Sequence, residues 1–321
     1  MNLPQRLLIT GGNGFVGKAL LPRLRQAWPQ LSLHATSRTP KQTTTNNTHW
    51  HPLDITDATA TAKLIQQIQP DTVIHLAAQA NVGLSFKQPQ QTWHTNLQGS
   101  LNLFTAMQAH TPQACLLYIS SADVYGASFT AGQPIDETSL LQPLNPYAAS
   151  KAAADLAAGA LAATSQLKIL RLRPFNHSGP GQTEDYVLPA FAAQIARIEA
   201  GHQHQLQVGN LDAERDILHI NDLISAYLSI LQHAHQLPSG EIYNICSGQA
   251  SSIQTLLNTL LEQAKIPITP QQDPQKMRPS DIARVQGSHQ KLTLDTGWQP
   301  PTSHQQLLQA LLNHWRQVKT A

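Results

Sequence analysis

The stretch at 10–17, T-G-G-N-G-F-V-G, constrains this chain more than any other. It follows the apolar run RLLIT (Arg6–Thr10) and opens an apolar-periodic segment that runs to about Arg25. Gly11 permits a tight turn, Gly14 lets backbone approach a bound group, and Gly17 lets helix pack on strand. The helix that starts there offers unpaired N–H groups and a positive dipole end, a seat for a pyrophosphate. A glycine pattern alone is weak. Between a first strand and a first helix it predicts a dinucleotide site at Gly11, Gly14, Phe15, Val16 and Gly17.

Further apolar runs at 31–37, 72–78, 115–121 and Lys168–Pro174 alternate with helical patterns, among them 96–109 and an Ala-rich helix from about Pro146. Near-continuous apolar strands imply cover on both faces, hence a doubly wound parallel α/β sheet of the Rossmann type. Past Pro174 strands become sparse, and IYNICSG (242–248) reads as one more sheet strand. Residues 1–175 with 215–248 are therefore expected to form the NAD(P)-binding domain. Residues 176–214 with 249–321 would form a smaller C-terminal α/β substrate lobe.

A formal charge of +2 without basic runs argues against a nucleic-acid surface. Both cysteines, Cys115 and Cys246, fall in apolar strand-like stretches, so no disulfide framework and a reducing, cytoplasmic setting are expected. No apolar stretch reaches the ~18 residues a membrane span needs, and no leader pattern precedes the first strand. The pairs His202/His204 and His233/His235 lie in polar loops without companion ligands, so no metal is expected.

Residues beyond the glycine turn fit a dinucleotide. Asp54, with Ile55 beside it, could accept from the adenine amino group, or Asp54 could cap the next helix. Leu76, Ala77 and Ala78 would lie under the pyrophosphate and nicotinamide. The second strand ends Thr36-Ser37-Arg38, lacking the acid that grips an NAD ribose. Arg38 can instead meet a 2′-phosphate, which favours NADP(H) over NAD(H); the alternative is a solvated loop arginine.

Tyr147 and Lys151 stand four residues apart on one helix face in N-P-Y-A-A-S-K. A phenol with a pKa near ~10 gains acid–base competence beside an ammonium, which can also hold the nicotinamide ribose. Ser121, at a strand end, would donate to the substrate oxygen that changes charge. Helix packing and turn capping are the plainer readings of Tyr147 and Ser121. The three together with the glycine turn predict hydride chemistry.

T-G-G-N-G-F-V-G, H-L-A-A-Q, S-S-A-D-V-Y-G, Y-A-A-S-K and R-P-F-N resemble the extended short-chain dehydrogenase/reductases. R-P-F-N-H-S-G-P-G-Q (173–182), V-G-N-L-D-A-E-R-D (208–216), Y-N-I-C-S-G (243–248) and M-R-P-S-D (277–281) are similar to the GDP-4-dehydro-6-deoxy-D-mannose reductases, which make GDP-D-rhamnose. They resemble the GDP-mannose 4,6-dehydratases less closely. The resemblance implies a GDP-sugar substrate, with Asn176, Arg215 and Arg278 on its diphosphate and Val187 beside the base. It also implies a homodimer through helix–helix contact.

Dehydratases need an added carboxylate base, a Glu in Ser/Thr-x-Glu. Here the string is Ser121-Ala122-Asp123, one methylene shorter, which favours simple carbonyl reduction. Asp123 stands equally as a substrate contact or a turn residue. The C4 configuration of the product, rhamnose or talose type, stays open at this point.

Overall fold

The computed structural model describes residues 3–39, 44–45, 48–274 and 282–318. β1 (Arg6–Thr10), β2 (Ser32–Ser37), β3 (Thr44–Thr45), β4 (Thr48–Pro52), β5 (Thr72–His75), β6 (Cys115–Ile119) and β7 (Lys168–Pro174) come first. Interspersed with them are α1 (Phe15–Ala27), α2 (Ala58–Ile68), α3 (Val82–Lys87), α4 (Pro89–Trp93), α5 (Gly99–His110) and α6 (Pro146–Thr164). The remainder comprises β8 (Asn176–Ser178), α7 (Val187–Glu199), β9 (Leu206–Val208), β10 (Glu214–His219), α8 (Ile220–His233), β11 (Ile242–Ile245), β12 (Ala250–Ser252), α9 (Ile253–Glu262), β13 (Pro270–Gln272), β14 (Arg284–Val285), α10 (Gln290–Thr296) and α11 (His304–Gln317).

The central sheet runs β11-β7-β6-β5-β1-β2-β4-β3, parallel except for the short edge strand β3. Alternation along each strand sends side chains to opposite faces. Leu7 and Ile9 join Leu20, Leu24 and Leu223 under α1 and α8, while Leu8 joins Leu64, Leu103 and Ala154 under α2, α5 and α6. Strand order reverses around β1, so the crevice at the carboxyl ends of β1, β5, β6 and β7 is where ligands of such sheets bind.

Two expectations shift. The span 215–248 returns to the central sheet only through α8 and β11, because β11 takes the free edge of β7 (Ile242 opposite Arg171). β10 pairs instead with β8, β12 and β14, a small sheet that links the two parts of the chain. The helix expected at 96–109 begins with a π-helical turn, His94–Gln98, before α5. That wider turn directs Asn96 inward, where its amide finds backbone partners in the loop after β5. The lobe has its own core, in which Leu188, Phe191, Leu256 and Leu308 bring α7, α9 and α11 together.

Candidate active site

The glycine turn is built to a tolerance of tenths of an ångström. A Cβ on Gly17 would lie 2.5 Å from the Gly12 carbonyl oxygen, and one on Gly11, whose φ is +69°, 2.8 Å from the Ala77 nitrogen. α1 is capped by Gly14, with no capping side chain and no acid in its first turn. Its leading N–H groups are thus left for an anion supplied by a ligand. This cradle fits the pyrophosphate of a dinucleotide.

A network behind the turn holds it in register. The Ser100 hydroxyl donates to the Asn96 carbonyl (2.6 Å), so His75 Nε2–H must donate to Ser100 Oγ (3.0 Å). His75 Nδ1 then accepts from the Thr10 hydroxyl (2.6 Å), and Thr10 Oγ1 accepts from the Ala77 N–H (3.2 Å). Burial drives the His75 pKa down to about 3, consistent with this neutral tautomer. Asn96 donates to Ser150 Oγ (2.9 Å), and Ser150 donates to the Tyr147 carbonyl (2.7 Å). The glycine turn and the helix bearing Tyr147 are therefore joined through buried side chains.

Ser121, Asp123, Tyr147 and Lys151 line one cavity of about 340 Å³ with Gly11, Gly14, Phe15, Val16, Gly17, Leu76 and Ala78. Asn145 caps α6 by accepting from the Ala148 N–H (2.8 Å), and Pro146 fills its first turn, which sets Tyr147 one turn before Lys151. Ser121 caps the following 3₁₀ segment, accepting from the Asp123 N–H (3.2 Å), while its hydroxyl also faces the Tyr147 phenol.

Burial raises the Tyr147 pKa above the usual phenol value, and the Asp123 carboxylate adds to this. Burial brings Lys151 down to about 8. Its ammonium donates to the Ile119 carbonyl (2.5 Å) and stands 4.7 Å over the Tyr118 ring. Desolvation acts on both groups, and Tyr147 rests as a neutral, proton-bearing phenol.

The other residues expected at the cofactor lie outside this cavity. Ala77 meets the turn through its backbone. Arg38 is exposed just past β2, and its charge adds to the Thr56 hydrogen bonds that hold the Asp54 carboxyl low. Asp54 Oδ1 accepts from the Thr56 N–H and hydroxyl (3.0 and 2.8 Å). The Ile55 side chain is buried against Gly99.

A second cavity of about 710 Å³ adjoins the first and holds Asn176, Val187 and Arg215. Arg215 also faces Asp123 across a smaller recess that Asn176 borders. Burial raises the Asp123 pKa and lowers that of Arg215, and each charge opposes the other's shift. Arg278 lies outside the described residues. Sequence reasoning missed His177, which lines both main cavities. Its signal was its place directly after R-P-F-N.

A larger open groove of about 1110 Å³ lies at the opposite, amino end of the strands around Trp28, Leu31 and Cys115. The Asp71 carboxylate there is occupied by the N–H groups of Gln5 and Arg6. Among the described residues no group of three or more His, Cys, Asp or Glu could hold a metal ion, and no helix is long and apolar enough to cross a membrane.

Ser, Tyr and Lys at the mouth of such a turn mark a short-chain dehydrogenase/reductase, and the matches along nearly the whole chain place this one in the extended branch. The family model described as GDP-mannose 4,6 dehydratase matches residues 8–311, and this chain belongs to that family. It is 39% identical over 314 residues to the GDP-6-deoxy-D-mannose reductase of Pseudomonas aeruginosa, covering 98% of each chain. It is 28% identical to GDP-mannose 4,6 dehydratase 2 of Arabidopsis thaliana, over 82% of this chain and 70% of that protein. The structure of RMD from Pseudomonas aeruginosa complexed with NADPH superposes with a TM-score of 0.84 at 39% identity, covering 97% of this chain and 99% of that one.

Proposed function

We propose that this chain reduces the C4 keto group of GDP-4-dehydro-6-deoxy-D-mannose with NADPH, giving GDP-D-rhamnose. The observation that carries the reading is a neutral Tyr147 beside Ser121 in the cavity that shares a wall with the larger, Arg215-lined one. The identity to the Pseudomonas aeruginosa reductase supports the substrate.

When bound, the reduced nicotinamide supplies the hydride. The chain's own groups do the rest. Ser121 donates to the C4 oxygen and orients it, and Tyr147 gives that oxygen its proton as the hydride arrives. Lys151, cationic below about pH 8, steadies the negative charge left on Tyr147 and holds the ribose. Asn176 and Arg215 take the diphosphate, Val187 the base. Arg38, with nothing acidic beside it on β2, takes the 2′-phosphate and sets the preference for NADPH over NADH.

The test is incubation with GDP-4-keto-6-deoxymannose and NADPH, with the product read by NMR. A rhamnose-configured C4 is expected, and a talose product would reassign the face attacked. Tyr147→Phe should abolish turnover with GDP-sugar binding unchanged; near-wild-type turnover in that variant would remove the mechanism. A dehydratase reading has one observation in its favour, the half-buried Asp123 beside Tyr147. GDP-mannose with NADP⁺ is the parallel arm, in which no 4-keto product is expected.

The two free cysteines, Cys246 buried, fit a reducing cytoplasm. Leu156, 60% exposed on α6, together with α5 and α6 fits a homodimer joined by helices, which light scattering would read as twice the chain mass.

A further inference from the structure

Three histidines gather on one face of the sheet, outside the cavities described above. Leu33 and Ala35 of β2 and Trp50 of β4 pack with Leu7 and Ile9 on the side of α1 and α8. Alternation along each strand therefore turns His34, His49 and His51 to the opposite face. The parallel register sets His34 beside His49 and Thr36 beside His51. His34 Nδ1 and His51 Nε2 lie 3.0 Å apart, and His34 Nε2 is 3.2 Å from Ser32 Oγ. The two rings meet edge to edge, with centroids 5.2 Å apart and planes 19° apart.

Nitrogens that meet in this way share one hydrogen, so a lone pair of one ring is directed at the other. A modest turn of each ring lets an ion take the place of that hydrogen. Two nitrogens about 2.0 Å from one ion stand roughly 3.3 Å apart in a tetrahedral site and roughly 2.8 Å in a square-planar one. The observed separation falls between these values. With His34 Nδ1 as a ligand, its Nε2–H donates to Ser32 Oγ, the outer contact that fixes the tautomer of a ligating imidazole. Burial lowers the pKa of both rings, that of His34 to about 4, which leaves them neutral near pH 7. Arg6, whose charge also reaches His34, is turned to the Ile68 and Gln69 carbonyls (2.8 and 3.2 Å). The exposed His49 ring stands near, 5.0 Å from that of His34 between centroids. The three rings do not form a common site, since no group of three could hold an ion among the described residues. The pair is the candidate.

We infer that His34 Nδ1 and His51 Nε2 form a two-histidine site for a borderline divalent cation of the Zn²⁺ and Cu²⁺ class, which ties β2 to β4 with water completing its shell. Imidazole suits these ions, whereas Mg²⁺ and Ca²⁺ take oxygen ligands. The site stands apart from the catalytic reading, and its test needs no turnover.

Calorimetry of the tag-free full chain with ZnCl₂ alone should show binding that His34→Gln or His51→Gln removes. Ser32→Ala, which leaves both rings in place, should weaken it about tenfold. The double variant His202→Gln/His204→Gln should retain it, and MgCl₂ should not compete. Electron paramagnetic resonance with Cu²⁺ should show coupling to two imidazole nitrogens, lost in either single variant. Saturating Zn²⁺ should raise the wild-type Tm by about 2 °C or more and leave that of His34→Gln unmoved. NADPH affinity within twofold of wild type shows that a variant is folded. Equal Zn²⁺ affinity in wild type and His34→Gln overturns the inference, as does a loss confined to the His202/His204 variant. Should a histidine variant fail to fold, an unchanged affinity in Ser32→Ala is equally decisive against it.

Discussion

On the sheet side of the cleft, His75 has both ring nitrogens engaged by Thr10 and Ser100, and each of those hydroxyls has a further partner. On the lobe side, His177 has one nitrogen engaged and one facing the cavity. Burial keeps both rings neutral, and because His177 Nδ1–H donates to the Phe175 carbonyl (3.0 Å) they carry opposite tautomers. The sheet wall spends its polar groups on itself and so holds the glycine turn rigid for a ligand common to many enzymes. The lobe wall leaves a polar group open to the cavity. A self-satisfied network is preorganised, whereas an open acceptor stays available to a ligand.

The comparison breaks most visibly at His75. Replacing it by Leu leaves the Thr10 and Ser100 hydroxyls without their buried partner, at a cost of about 2–4 kcal/mol. Thermal denaturation should show a fall in Tm of about 5–10 °C. A Tm within 2 °C of wild type would mean the network is dispensable. Gly17→Ala sets a Cβ against the Gly12 carbonyl and should cost about 1–3 kcal/mol, with at least about tenfold weaker NADPH binding by fluorescence titration.

The pH profile is next. Lysine is cationic below its pKa, and here that value is about 8. Reduction should be level below that point and fall as pH rises through it, to about a tenth of its plateau one unit higher. A profile flat to pH 10 would separate Lys151 from the chemistry. The smallest effect sharpens the contrast: His177→Phe should move Tm by less than about 2 °C, because its free nitrogen supports no part of the fold.

Much of the dinucleotide half was legible beforehand, since apolar runs and a glycine turn are local signals. β1 and β7 lie at the residues expected, and the others end within a few residues of them. The Tyr147/Lys151 spacing likewise survives, because one helical turn is set by backbone geometry alone. The lobe was less legible. β8, β9, β12, β13 and β14 are two or three residues long, too short for periodicity to register. Their existence depends on partners distant in the chain, as when β10 meets β8 and β12. Asn96 escaped notice because a π-helical turn leaves no mark on the residue pattern.

By itself the sequence determined the sheet, the turn at Gly11, Gly14 and Gly17, and the identity of Ser121, Tyr147 and Lys151 as a set, all through short-range spacing. Only the tertiary structure decided how those residues are charged and what they face. Burial from packing above and below the sheet keeps Tyr147 protonated and brings Lys151 to about 8. The tautomers of His75 and His177 follow from partners that in one case lie dozens of residues away and in the other two. Desolvation and hydrogen-bond direction belong to three-dimensional neighbours, which residue spacing does not carry.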